Sequence, residues 1–278
     1  MTTSTIRITP FDAPIGAMLD GIDLSRPLSI QDLHQINQAL LQFKVVLFDQ
    51  QELDESQMIQ FGRYLGKPFN HPFVANRGTV RPVSEIINKQ GSTPYSADWH
   101  TDVSFVELPP SLGILHCELN PPDGGETQFM DAEMCWESLP LALKSALEGR
   151  RAFHDFAKER ELTLSIIGKE ALEFNHSRTP GCFHPTSRRH PVTGKRCLYV
   201  NHAHTTHFSQ MPQKESDNLL AETLSWIEKE EFRMQINLRP NQSVLWDQRN
   251  TLHRGLPNYG NKARLLRRLG IGIDKPEE

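Results

Sequence analysis

The sequence predicts a mainly β fold with flanking helices, arranged as an antiparallel sandwich or jelly roll. From about residue 111, short segments rich in β-branched, aromatic and leucine residues are separated by Pro and Gly turns, a pattern typical of antiparallel strands. The turn cluster 121–125 separates the first two such segments. Helical patterns interrupt the strands without regular alternation, which disfavours a doubly wound parallel sheet.

The first third of the chain combines helix and strand signals. Ser29, with Asp32 three residues later, makes a capping pair before an apolar stripe, and this predicts the start of a helix. Residues 44–48 form a short apolar run that predicts a buried strand. Asp54 predicts the start of a second helix, and Gly66 suits its C-terminal end.

The rest of the chain divides into predicted strands and two predicted helices. Apolar residues three or four apart predict helices at 131–147 and 214–231, whereas short apolar or alternating runs predict strands. The predicted strands are 111–119, 126–130, 195–200, 233–238, 243–246 and 264–273. The chain contains no internal repeat or flexible linker, so a single domain over 1–278 is expected.

Composition limits the classes of partner. The formal net charge of −4 provides no electrostatic footprint for nucleic acid or an anionic membrane. No apolar stretch has the length of a membrane span, and the first residues lack the pattern of a signal peptide. The four cysteines are scattered and form no C-x-x-C pair, which favours reduced thiols in a cytoplasmic protein.

A histidine and a carboxylate two residues apart are candidate metal ligands. If His100 and Asp102 lie on a strand, they share one face. Alone the pair is a weak signal, because it occurs by chance in many chains and a surface His–Asp hydrogen bond is then the favoured explanation. His253 follows the predicted strand 243–246 and supplies a second histidine. Together they make the 2-His-1-carboxylate set of non-haem iron, which leaves coordination positions open for a 2-oxo acid and dioxygen.

Two arginines follow His253 in a predicted strand. Arg264 and Arg268 share one face of that strand with Leu266, whereas Arg267 points the other way. A guanidinium matches a carboxylate bidentately, so one inward arginine suits the distal carboxylate of 2-oxoglutarate. A solvated basic edge strand explains the same residues equally well.

In these motifs the sequence resembles the taurine dioxygenase family, which includes herbicide-degrading aryloxyalkanoate dioxygenases and alkylsulfatases. The resemblance covers nearly the whole chain, and the order of the motifs makes it specific. The matching stretches are 15–17, 21–25, 99–102, 124–127, 190–194 and 246–249, with His253, Arg264 and Arg268 in the family's spacing.

The resemblance implies a metal site, a co-substrate site and a fold. By position, His100, Asp102 and His253 would bind Fe(II). Thr127 and Arg264 would bind 2-oxoglutarate, with dioxygen as the other co-substrate. The implied fold is a double-stranded β-helix, a jelly roll of the clavaminate-synthase-like type, and the family commonly forms dimers and tetramers. In the family's reaction, 2-oxoglutarate is decarboxylated to succinate while the prime substrate is oxidised, usually by hydroxylation.

The resemblance also implies which residues line the prime-substrate pocket. An arginine beyond the one needed for 2-oxoglutarate predicts a small organic anion, namely a sulfonate, a sulfate ester or a carboxylate. Val74 stands where the taurine enzyme has a tyrosine, and His204 stands where it has a phenylalanine. The substrate should therefore differ from taurine in shape. The implied pocket residues are His71, Ser96, Phe156, His204 and Arg268.

Two other functions remain open. The cluster His202, His204 and His207 loosely resembles the first ligand group of binuclear zinc hydrolases, although Thr206 stands where that motif needs an aspartate. A non-catalytic jelly-roll binding protein could keep the fold without the metal, but the complete set of candidate iron ligands argues against it. The basic loop 184–190 is expected to be a solvated turn, with a mobile lid as the alternative.

Overall fold

The computed structural model describes residues 6–72, 82–92, 98–156, 173 and 179–278. The strands are β1 Arg7–Pro10, β2 Ala17–Asp20, β3 Val45–Phe48, β4 Val83–Asn88, β5 Leu112–Leu119, β6 Thr127–Asp131, β7 Arg151–His154, β8 Cys182–Pro185, β9 Ser187–Arg189, β10 Arg196–Leu198, β11 Thr205–Phe208, β12 Arg233–Ile236, β13 Ser243–Asp247, β14 Thr251–Gly255 and β15 Arg264–Ile271. The helices are α1 Ile30–Phe43, α2 Glu55–Leu65, α3 Ala132–Ser138, α4 Leu141–Leu147 and α5 Gln213–Ile227, followed by a 3-10 turn at Glu230–Phe232.

Two antiparallel layers enclose the centre of the fold. The larger is a seven-stranded sheet in the order β1-β2-β3-β13-β5-β15-β4, in which only β2 and β3 pair in parallel among the described strands. The smaller includes a sheet in the order β12-β6-β14 and a second in the order β11-β7-β8. Phe129 of the small sheet and Trp246 of the large sheet belong to one apolar cluster between the layers. The predicted mainly β architecture is therefore confirmed.

Helices α1 and α2 cover the outer face of the large sheet. Ile36 and Met58 from these helices pack in one buried cluster with Phe48, Ile114 and Leu269 of the sheet. Burial of such side chains is the main stabilising term of this layer. One face of β15 packs against these helices. Successive residues of a strand point to opposite faces, so every second residue of β15 points inward, toward the space between the layers.

Both predicted helix starts are confirmed. The Ser29 hydroxyl accepts from the Asp32 amide at 3.1 Å, and the Asp32 carboxylate accepts from the Ser29 amide at 3.1 Å. Asp54 and Gln57 make the same reciprocal pair before α2, at 2.8 and 2.9 Å. Each capping box satisfies amide groups at its helix start that have no partner within the helix.

The predicted helix 131–147 is wrong as a single element. Asp131 ends β6 and instead caps α3, accepting from the amides of Glu133 and Met134. The helix stops at Ser138, and α4 begins only after Pro140. Proline lacks an amide hydrogen and disfavours the helical conformation in the residue before it, so the chain must break there. In the part of the chain described here, no helix combines the length and apolarity needed to cross a bilayer.

Candidate active site

His100, Asp102 and His253 lie together between the two layers. Their three candidate ligand atoms fall within 4.8 Å of one another. The Asp102 Oδ1 atom is 3.6 Å from His100 Nε2 and 3.9 Å from His253 Nε2. Two imidazoles and one carboxylate at this spacing could hold a metal ion, and the donor set is that of the 2-His-1-carboxylate triad.

Backbone pairing brings the two distant histidines together. The amide of each donates to the carbonyl of the other, at 3.0 Å from His100 and 2.9 Å from His253. Their ring centroids lie 4.1 Å apart. The expectation that His100 and Asp102 share a strand face is wrong, because the chain turns after this single bridge. Val103 has a φ of 54°, a costly conformation for a β-branched residue, so the turn itself aims Asp102 at the histidines.

The histidine rings are oriented for ligation. His100 Nδ1 lies 2.7 Å from the carbonyl of Asp98, so Nδ1 donates and Nε2 keeps its lone pair. Burial, followed by the nearby His100, holds the pKa of His253 well below its ordinary value. His253 is therefore a neutral imidazole, which is the form that binds metals.

Asp102 is held by two further side chains. Gln248 accepts from the Asp102 amide at 2.8 Å and donates to Oδ2 at 2.9 Å. Arg268 Nη1 donates to Oδ1 at 2.7 Å. Burial raises the pKa of Asp102, but the charge of Arg268 and the contacts with His100 and His253 together outweigh burial and keep the pKa well below its ordinary value. The carboxylate is therefore ionised.

Asp247, the residue before Gln248, belongs to a buried ion cluster. Asp247 accepts from Arg249 Nε at 2.8 Å and Nη2 at 2.6 Å, and its Oδ2 lies 3.0 Å from His190 Nε2. Burial raises the pKa of Asp247, but the Arg249 and His190 hydrogen bonds lower it to about 2. This contact joins the stretches 190–194 and 246–249 in the fold.

Arg264 occupies a buried position on the inner face of β15. Its Nε donates to Asn120 Oδ1 at 2.9 Å, and its Nη2 donates to the Gly125 carbonyl at 3.1 Å. Burial lowers its pKa from the ordinary value, yet a guanidinium stays protonated. Its side chain is thus aimed by Asn120 and Gly125, two residues that the sequence did not identify as site residues.

Thr127 lies on the small sheet near the candidate metal ligands. It is buried and pairs across β6 and β14 with Gly255, two residues from His253. Because Phe129 pairs with His253, Thr127 and His253 project from the same face of this sheet. The structure therefore directs Thr127 and Arg264 into the same interior from opposite layers.

Two of the implied prime-substrate residues line a pocket beside the candidate metal ligands. His71 and Arg268 line a pocket with Asp102 and Val103. Burial, followed by the charge of Arg268, lowers the pKa of His71 to about 3, so this imidazole is neutral. The other implied residue in this region, Ser96, lies outside the described residues, as does Val74.

Two other implied prime-substrate residues, Phe156 and His204, lie in an aromatic cluster around Phe105. Phe105 contacts Phe156 with ring centroids 5.3 Å apart and His204 at 5.0 Å. The His204 ring lies 6.3 Å from the ring of His100. Phe156 and His204 are therefore brought together, beside the candidate metal site, by Phe105. Phe105 follows the His100–Asp102 motif closely in the sequence, and this closeness is the signal that could have identified it as a site residue.

The rival histidine cluster does not converge. His202 Nε2 lies 3.5 Å from Glu228, His204 Nδ1 lies 2.9 Å from Ser104, and His207 contacts Thr206. Across the described ranges, the only group of three or more candidate ligands is that of His100, Asp102 and His253. These histidines therefore do not support the zinc hydrolase hypothesis.

The basic loop predicted as a solvated turn is largely buried. Arg188 is 2% exposed, pairs with Asp274 and stacks against Tyr199 at 5.4 Å. His184 and His190 are buried as well. The loop forms part of strands β8 and β9, and the C-terminal segment covers it, so the expectation of a solvated turn was wrong.

Comparison with known proteins agrees with this geometry. The family model of the taurine catabolism dioxygenase TauD, TfdA family matches residues 7–269, and the chain belongs to this family. An alkylsulfatase of Acinetobacter baylyi is 30% identical, over 97% of this chain and 86% of the relative. A 2,4-dichlorophenoxyacetate dioxygenase of Cupriavidus pinatubonensis is 28% identical, over 93% of this chain and 95% of the relative.

Solved structures show the same fold. A taurine dioxygenase structure from Burkholderia xenovorans superposes with a TM-score of 0.82 at 29% identity, covering 98% of this chain and 90% of that chain. The architecture is thus the double-stranded β-helix of this family, as the resemblance implied. The protein is an oxidoreductase of the dioxygenase type, with 2-oxoglutarate and dioxygen as co-substrates and a metal as cofactor.

Proposed function

We propose that the protein is an Fe(II)-dependent enzyme that hydroxylates a small organic anion and releases succinate and CO2. The observation that carries this proposal is the convergence of His100, Asp102 and His253 within 4.8 Å. Two imidazoles and an ionised carboxylate suit a divalent iron, and the triad leaves positions open for co-substrates. When bound, the iron supplies the oxidising chemistry; the protein supplies binding and orientation.

Gln248 and Asp98 orient the ligands in this proposal. Gln248 holds one carboxylate oxygen of Asp102, which leaves Oδ1 facing both histidines. Asp98 fixes the His100 tautomer through its carbonyl. Outer partners of this kind commonly change metal affinity by about 10–100-fold when removed.

Arg264 and Thr127 bind the distal carboxylate of 2-oxoglutarate in this proposal. The guanidinium is buried and aimed by Asn120 and Gly125. In a desolvated site its planar fork can hold a carboxylate bidentately. Thr127 projects into the same interior and can add a hydroxyl donor.

The charge balance of the site favours an anionic prime substrate. Arg268 forms a close ion pair with Asp102, so its charge is partly matched within the protein. A divalent metal bound to Asp102 would share the same carboxylate with Arg268, so the site would carry a net positive charge. Burying that charge without a counter-ion is costly. Arg268, with the neutral His71 beside it, therefore binds the anionic group of the substrate.

The substrates named for related proteins narrow the candidate substrates of this protein. Their names specify alkyl sulfates, sulfate esters, a sulfonate and 2,4-dichlorophenoxyacetate. We therefore propose a sulfonate, a sulfate ester or a carboxylate for this protein. Phe105, Phe156 and His204 form the wall that the uncharged part of the substrate would meet.

The test is succinate formation from 2-oxoglutarate with Fe(II), ascorbate and air. Alkyl sulfates, alkanesulfonates and phenoxyacetates would each be added, and at least one should raise succinate formation above the substrate-free rate. His253→Ala should abolish it. His207→Ala, a histidine away from the ligand group, is the matched control. If no member of the panel raises succinate formation, the proposed substrate class is wrong; if no succinate forms at all, the proposed reaction is wrong.

We also propose a cytoplasmic homo-oligomer. The four cysteines are free thiols, and burial raises the pKa of Cys117, Cys135 and Cys182 to about 12. Such thiols are poor nucleophiles and suit a reducing compartment. Light scattering on the purified protein would show whether it is a dimer or tetramer, as its family resemblance implies, or a monomer.

A further inference from the structure

The two segments that carry the candidate histidine ligands meet in a single backbone bridge. His100 and His253 form this isolated bridge with two hydrogen bonds, at 3.0 and 2.9 Å. A longer antiparallel ladder would repeat such bonds along both segments. On one side of the bridge, the Thr101 hydroxyl donates to the Thr251 carbonyl at 3.3 Å. Side-chain contacts next to the bridge therefore help to hold the two ligands at a fixed spacing.

On the other side of the bridge, Arg254 meets Trp99. Arg254 directly follows His253, and Trp99 directly precedes His100. The guanidinium carbon of Arg254 lies over the buried Trp99 ring, 4.4 Å from its centroid. A cation in this position is attracted by the quadrupole of the ring, and tryptophan is the most favourable partner. The contact thus joins the neighbour of one ligand to the neighbour of the other.

The guanidinium of Arg254 is held by two further side chains. Its Nε donates to Gln128 Oε1 at 2.8 Å, and its Nη1 lies 3.2 Å from each carboxylate oxygen of Glu228. Gln128 is the partner of Arg254 on the neighbouring strand β6, and Glu228 is the residue at which α5 ends. Because the guanidinium is a rigid plane, contacts along its edge fix the face that lies over Trp99.

The backbone of Trp99 is held from a third direction. Its carbonyl accepts from the amides of His202 and Ala203, at 3.0 and 3.3 Å. His202 Nε2 also lies 3.5 Å from Glu228 Oε1, so this segment contacts the same carboxylate as Arg254. Trp99 is therefore fixed through both its carbonyl and its ring, and the position of the next residue, His100, depends on it.

We infer that Arg254 is a positioning residue for the metal centre. Through Trp99 it holds the segment of His100 against β14, at the spacing that metal binding requires. Successive residues of a strand point to opposite faces, so Arg254 lies on the face of β14 opposite to His253 and acts from behind the ligands. This inference rests on the proposed function, because it takes His100 and His253 as metal ligands.

Metal affinity, measured without turnover, tests the inference. The probe is Co(II), added to the full-length protein with 2-oxoglutarate in competition with a metal-binding dye. Arg254→Met keeps much of the side-chain length but removes the cation and its fork. We expect the Co(II) affinity to fall by about 10–100-fold, the range for loss of an outer partner of a metal ligand. Arg254→Lys should recover part of it, because an ammonium can lie over the ring but cannot reproduce the planar fork.

Arg233 provides a matched control in the same cluster. It lies on β12 of the same sheet, 3.8 Å from Glu228, and its side chain is 17% exposed, against 20% for Arg254. Its Nε donates to the Lys229 carbonyl. Arg233→Met therefore removes a similar charge beside Glu228. It should leave the Co(II) affinity within about twofold of the wild-type value, since a partly exposed ion pair contributes little by itself.

A double-mutant cycle tests whether Arg254 acts through Trp99. Phenylalanine is a weaker partner for a cation than tryptophan, so Arg254→Met should cost less Co(II) affinity in Trp99→Phe than in the wild type. In Trp99→Leu, which has no ring, it should cost least. Residues that act independently would instead show additive losses. Circular dichroism shows which variants are folded, and Trp99→Phe decides the cycle if Trp99→Leu does not fold.

Three results would overturn the inference. They are wild-type Co(II) affinity in folded Arg254→Met, an equal loss of affinity in Arg233→Met, and additive losses in the cycle with Trp99→Phe. If Arg254→Met does not fold, wild-type affinity in Arg254→Lys would overturn it as well. Failure of the proposed function would instead appear as absent succinate formation by the wild-type protein with Fe(II), so the two failures are distinguishable.

Discussion

The two walls of the candidate site are built in different ways. On the metal side, His253 and Arg264 come from strands β14 and β15, and Gln248 lies directly after β13. On the substrate side, Phe105 follows the turn at Val103, and His204 lies in a turn before β11. Backbone ladders fix the first wall, whereas the second depends on side-chain contacts.

This difference separates a wall of fixed geometry from a wall of adjustable shape. A residue whose backbone is paired in a sheet cannot move without disturbing its neighbours in the ladder, so the metal side is suited to chemistry that needs fixed distances. Turns tolerate substitution because fewer backbone bonds depend on them. Relatives whose names specify different substrates fit this division, which predicts that the two walls respond differently to mutation.

His253→Ala should have the largest effect. It removes one imidazole from the ligand group on the metal side, and we expect turnover of 2-oxoglutarate to be abolished. The chain should stay folded, since β14 keeps its backbone pairing with β6. Succinate assays with Fe(II) and circular dichroism check both parts. Normal turnover in this variant would show that the ligand assignment is wrong.

Arg264→Ala should mainly affect 2-oxoglutarate. A charged hydrogen bond contributes about 1.5–3 kcal/mol, so the apparent 2-oxoglutarate requirement should rise roughly tenfold or more. Arg264→Lys should recover only part, because an ammonium cannot reproduce the fork. The control is Arg267→Ala, which lies on the opposite face of β15 and pairs with Glu118. An unchanged requirement in Arg264→Ala would remove the basis for its assignment.

Arg268→Ala tests the residue at the junction of the two walls. Arg268 contacts Asp102 and lines the pocket beside His71. We expect prime-substrate binding to weaken by about tenfold, while uncoupled decarboxylation of 2-oxoglutarate persists. Neutral esters of the substrate should bind the wild-type protein correspondingly weakly. If a neutral ester is oxidised as efficiently as the acid, Arg268 does not read a charge.

Gln248→Asn should have the smallest effect of the four. The amide is retained but is one methylene shorter, so it can keep only part of its double contact with Asp102. We expect metal affinity to fall several-fold, below the range of about 10–100-fold for complete loss of an outer partner. Competition with a metal-binding dye would measure it. A loss as large as that in Gln248→Ala would show that the shorter amide makes neither contact.

Residue patterns along the chain determined the local elements. Capping pairs at Ser29 and Asp54 specify helix starts through contacts three residues apart. Apolar runs specify strands because their side chains must be buried on a sheet. The break at Pro140 was also local in cause, but the helical periodicity on both sides concealed it. The candidate ligands were recognisable because few residue types bind iron.

Tertiary structure alone decided how these residues meet. Gln248 and Arg268 reach Asp102 across 146 and 166 residues of chain. A buried cluster joins Lys44 to Asp131 and Glu133 at 2.6 and 2.9 Å, and no spacing along the sequence predicts it. Such contacts follow from sheet register and side-chain packing, because burial requires each polar group to find a partner wherever the fold provides one.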